Sequence, residues 1–181
     1  MKRPIGAGGL AMILALATGC GGRPEPRAFR GEDGLRFAPP AGWSERAPSD
    51  GRPGLAAGER LLVQYKRLTA GRPAWLRLTA ADVSPSIPLD ACAAARPPGR
   101  DWRREGLAEQ TLVGGQPAAR VRFAGRWGKL PYSGEVVAVR RAGRVYLFTA
   151  TFPAAEAETR EQVRQAVAAA TWPGAEALAG R

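Results

Sequence analysis

The chain has 181 residues, 45% of them hydrophobic, and a formal net charge of +11 at pH 7, which suits one domain with an ordinary core and not a disordered charged tail. It has no histidine and two cysteines, so Ser-His-Asp and Cys-His catalysis and Cys/His zinc sites are excluded within this chain. Apart from Lys2, Lys66 and Lys129 the positive charge is all arginine, and with the abundant Ala, Gly and Pro it fits the coding bias of a GC-rich genome better than a selected surface.

At the start, Lys2 and Arg3 precede a run of apolar and small residues from Ile5 to Thr18. As a helix this run is too short to cross about 30 Å of hydrocarbon, and it reads as a signal segment. It ends Ala17-Thr18-Gly19-Cys20, which resembles the bacterial lipobox, although Ala17 stands where Leu is commonest. The resemblance implies cleavage before Cys20 and a diacylglyceryl and palmitate-type anchor on its thiol. Residues 1–19 are therefore read as a lipoprotein signal peptide, and 20–31 as the lipidated Cys and a Gly/Pro-rich flexible tether. Residues 32–174 are read as a single globular domain and 175–181 as a disordered tail. Gly21 after the Cys, in place of Asp, favours the outer membrane facing the periplasm in a two-membrane host. With Cys20 lipidated, Cys92 is the one thiol left and no internal disulfide forms.

Within the domain, Leu35–Ala38 is a short strand before Pro39-Pro40, and residues 44–58 read as a loop. Arg60–Arg67 and Ala74–Ala80 alternate with period two, joined by Gly71 and Pro73 as a hairpin. Leu89–Arg96 suits a short helix halted by Pro97-Pro98-Gly99. Four more strands follow: Gly106–Val113, Ala118–Gly125, Tyr132–Arg141 and Arg144–Phe152. Gly114-Gly115 and Ala142-Gly143 are tight turns, and Ala is a poor residue where φ is positive. From about Ala155 to Ala170 the period changes, with Val163, Ala166, Val167 and Ala170 forming a helical apolar stripe. The expected fold is α+β: an antiparallel meander of about six strands, with a long C-terminal helix and a short middle helix packed on it.

The order of landmarks adds a resemblance. FAPPAGW (37–43), VGGQPAARVRF (113–123), GRVYLF (143–148) and Trp172 closing the terminal helix resemble the PsbP-like (Mog/PsbP, LpqN-type) fold, an α/β/α sandwich. The resemblance implies a noncatalytic binding or assembly factor acting on a larger partner. It fixes no ligand, since one fold hosts many functions.

The expected function is thus a membrane-anchored envelope lipoprotein, not an enzyme, without cofactor or metal. Its partners are the membrane through the anchor and an envelope protein or anionic glycan. Arg77, Arg120, Arg122 and Arg140 are candidates for a basic sheet face if their strands are neighbours, since guanidinium forks suit carboxylates and phosphates. Trp102 and Trp127, in Arg-rich loops, are candidates for an exposed recognition site. The alternatives are a thiol enzyme using Cys92, which lacks a His partner and sits among alanines as a structural Cys would, and an anionic glycan or lipid binder using the arginine face. Nucleic acid is disfavoured despite a sequence pI near 11.1, because the aromatics alternate inward and form no stacking platform.

Overall fold

In this computed structural model the described residues are 27–31, 33–47, 55–56, 58–69 and 71–173. The signal segment, Cys20 and the tail after Pro173 lie outside them. Strand β1 (Phe29–Arg30) falls in the segment read as the end of the tether and pairs with β2 (Arg36–Phe37). Strand β3 (Ser44–Glu45) opens the main sheet from within the expected loop.

The long strands are β4 (Glu59–Thr69), β5 (Arg72–Ala81), β6 (Arg103–Val113), β7 (Gln116–Trp127), β8 (Leu130–Arg141) and β9 (Arg144–Pro153). The main sheet has seven antiparallel strands in the order β3-β4-β5-β9-β8-β7-β6, one more than expected. It is not a plain meander. Helix α1 (Leu89–Ala94) lies in the connection from β5 to the far edge at β6, and β6 to β9 then run back until β9 zips against β5.

Alternation explains how each face is covered. Leu76 and Leu78 on β5, Val137 and Val139 on β8 and Tyr146 and Phe148 on β9 point to one side. There they bury Val163 and Val167 of α2 (Ala157–Ala168), the expected apolar stripe. Val121, Phe123, Val136, Ala138 and Leu147 point to the other side and bury Cys92 and Ala93 of α1. The molecule is a helix–sheet–helix sandwich. Because α1 is short it covers mainly β7 and β8, and the β4–β5–β9 half of that face carries Gln64, Arg77, Thr79, Thr149 and Thr151.

Candidate functional site

The half of that face not covered by α1 holds a cleft of about 440 Å³. Its floor is Arg77 and Thr79 of β5 with Thr149 of β9, adjacent across the sheet through the Arg77–Thr149 register. One wall is Glu59 at the start of β4. The other is the segment from Ala95 to Arg100, which leaves α1 and is stiffened by Pro97-Pro98.

The electrostatics are lopsided. Glu59 accepts hydrogen bonds from the Thr79 hydroxyl at 2.5 Å, from Arg96 Nε at 3.2 Å and from the Ala56 N–H at 3.2 Å. Its lone pairs are largely used. The half-buried Arg77 guanidinium makes no hydrogen bond or ion pair among the described residues. Burial pushes its pKa down to about 10, with the Glu59 charge opposing. Arg100 adds another cation to the lining. The chemistry on offer is recognition of an anion: a half-buried guanidinium with no protein partner among the described residues keeps its donors free for one.

The other candidate arginines do not join Arg77. Arg140 points to the same face but donates to the carbonyls of Ser84, Pro85 and Ile87 at 2.8–3.1 Å, pinning the loop that leads into α1. Arg120 and Arg122 point to the α2 face. Arg122 pairs with Glu109 at 3.0 Å, and Arg120 lies between Glu109 and the buried Glu135. Glu135 is held chiefly by Arg164, whose two nitrogens reach it at 2.6–3.2 Å, and this carboxylate raises the Arg164 pKa. These charges dock α2 on the sheet.

Trp102 is half-buried. Its indole lies over Gly125 and Gly134, where an added Cβ would come within 2.3 and 2.7 Å of the ring, and Pro98 stands beside it. It thereby props the cleft wall from behind. Trp127 is 50% exposed at the β7–β8 turn, its ring 6.0 Å from that of Tyr132. Cys92 is a free, buried thiol in the α1 core cluster. Among the described residues no group of three or more His, Cys, Asp or Glu side chains is placed to hold a metal, and no helix is long and apolar enough to cross a membrane.

Of the cleft residues, only Arg77 is singled out by sequence reasoning. Glu59, Arg96 and Arg100 meet it through pairings of distant segments, and nothing in their local pattern marks them. A Pro-Pro-Gly stop directly after a helix ending in Arg96 is the one available sign that a basic residue sits at a rigid corner.

The architecture is that of an α+β protein with two helices on a mostly antiparallel seven-stranded sheet. It is similar to LpqN, a protein involved in cell envelope biogenesis of Mycobacterium tuberculosis, with 13% identity and a TM-score of 0.54 over 80% of this chain and 88% of that one. Cyanobacterial PsbP from Synechocystis sp. PCC 6803 gives 16% identity and a TM-score of 0.48 over 78% and 88%. No family model and no curated protein matches the sequence. At such identity the LpqN likeness shows a shared fold, in line with the LpqN-type α+β architecture expected from the sequence.

Proposed function

We propose that this protein is a lipid-anchored component of the cell envelope that binds, without transforming it, an anionic group of another envelope component in the Arg77 cleft. The observation that carries the reading is the Arg77 guanidinium, held in a concave site while the nearest carboxylate, Glu59, is already engaged by Thr79, Arg96 and Ala56. The fold shared with an envelope biogenesis protein and the lipobox-like Ala17–Cys20 support the location. In a two-membrane host Gly21 supports the outer membrane, facing the periplasm. The cleft offers guanidinium and hydroxyl groups and one saturated carboxylate, a set suited to holding a phosphate or carboxylate.

Titration with inorganic phosphate and with glucuronate, followed by NMR shifts of the Arg77 side-chain N–H, tests the site. Binding that weakens with salt and drops about tenfold or more in Arg77→Gln is expected. Equal affinity in wild type and variant would refute it. Intact-mass measurement of Cys20 tests the anchor separately: an unmodified thiol refutes the lipid and leaves the cleft standing.

A further inference from the structure

One end of the sheet combines exposed apolar side chains with cations. The β4–β5 and β7–β8 turns both lie there: the row Lys66, Trp75, Thr151, Gly134 and Phe123 crosses five strands, and Leu68, Pro73, Tyr132 and Gly125 lie two residues beyond it. The Tyr132 hydroxyl donates to the Pro73 carbonyl at 3.0 Å. The two turns are about three strand spacings apart, roughly 14 Å. Leu68 is 62%, Trp127 50% and Leu130 38% exposed. By strand alternation all three lean to the same face. Exposed Arg72, Arg126 and Lys129 flank them. Among the described residues the acidic groups on this half of the sheet include exposed Glu45, opposite Tyr65, exposed Asp101 and half-buried Glu156, whose carboxylate accepts from the Thr159 hydroxyl at 2.8 Å.

The described chain begins at Arg27, beside the middle of β4 on the α2 side of the sheet. The Arg27 carbonyl accepts from the Tyr65 hydroxyl. From there the chain runs away from the turns, so that Arg30, Gly31 and Asp33 lie beside Arg60 and Leu61 near the opposite end of β4. Six residues lie between Cys20 and Arg27, a contour of at most about 25 Å over the seven steps.

We propose that this two-turn end is a membrane-contact surface, with Trp127, Leu130 and Leu68 set into the interface of an anionic bilayer and Arg72, Arg126 and Lys129 at its phosphates. The proposal rests on the anchor reading, which keeps the domain within a short tether of the lipid, and on the composition of this end. Trp and Leu beside Lys and Arg are the composition that partitions to the headgroup boundary, and the cations add attraction to anionic lipid.

The test uses the full lipidated protein in vesicles of phosphatidylethanolamine and phosphatidylglycerol. An environment-sensitive label is placed at Gly71→Cys in the β4–β5 turn or at Ala142→Cys in the β8–β9 turn at the opposite end; Cys92 is buried and does not compete. Lipid-borne nitroxides should quench the label at 71 roughly threefold more than at 142. The double variant Trp127→Ala/Leu130→Ala, or phosphatidylcholine in place of phosphatidylglycerol, should remove the difference. Flotation with the vesicles but equal quenching at both positions overturns the contact surface and leaves the anchor intact. An unmodified Cys20 by mass overturns the anchor reading. The unlipidated chain added to the same vesicles then decides the surface alone, quenching at 71 sustaining it and none overturning it.

Discussion

Arg77 is the residue where stability and binding pull apart. Its folded pKa of about 10 lies below the ordinary guanidinium value, so at neutral pH the guanidinium is charged in both states and the burial cost is present. Between these values the unfolded chain holds more protons than the folded one, and stability rises with pH. Arg77→Met should therefore stabilise the protein at pH 7 by about 1–2 kcal/mol, discounted for the opening to the cleft, while anion binding is lost. Urea unfolding measures the first effect; a less stable variant would show that Arg77 has a structural partner. Tyr65 has the opposite sign. Burial, then the charge of Glu45, pushes its pKa up to about 12. Above pH 10 the unfolded chain gives up this proton first, and stability falls as pH climbs towards 12. Tyrosinate absorbance should show this phenol ionising about two units late, and Tyr65→Phe should abolish that late step.

Among the elements, period-two alternation made β4, β5, β7, β8 and β9 legible, and the 3.6-residue stripe did the same for α2. What alternation misses is irregularity. A bulge between Leu61 and Val63 breaks the β4 pattern and turns Leu62 onto the α2-side core. Strand β3 is two residues without periodicity and exists because Ser44 and Glu45 meet Lys66 and Tyr65. The Ala142-Gly143 turn was readable down to its defect: Ala142 has φ of 49°, the one positive value outside glycine among the described residues. Ala142→Gly or Ala142→Asn should stabilise the protein by about 0.5–1 kcal/mol, seen as a higher Tm. Docking of α2 was legible only as an apolar stripe, because the Arg160, Arg164 and Arg120 cluster around Glu135 joins separate segments. Glu135→Gln takes the carboxylate from Arg160 and Arg164 and leaves Arg120 with Glu109 alone. A loss of about 2–3 kcal/mol in denaturant unfolding is expected, below the full value for a buried pair because Arg164 is partly exposed.

For the whole molecule, the candidate site was legible in one residue and illegible as a place. The Glu59–Arg96 contact spans 37 residues, and the cleft appears only when the connection through α1 returns over the sheet. The expected arginine face failed to form for the same reason, since strand parity sends Arg120 and Arg122 to the side opposite Arg77 and Arg140. Cys92 reports on the assembled molecule. Buried at the junction of α1, β7 and β8, it should react with a thiol reagent only through opening of that core, so its labelling rate should rise steeply with urea up to the unfolding midpoint. Fast labelling without denaturant would place the thiol in a locally mobile patch and reopen its use in chemistry.

The placement of β9 between β5 and β8 has a consequence for synthesis. Partners such as Trp75 and Thr151 are far apart along the chain, so the two flanking hairpin sets cannot merge until the last strand arrives, a topology that slows folding. A product terminated before Arg144 would hold two half-sheets, each with a naked inner edge of unsatisfied N–H and C=O groups. Such a fragment would find its missing strand in other molecules and self-associate.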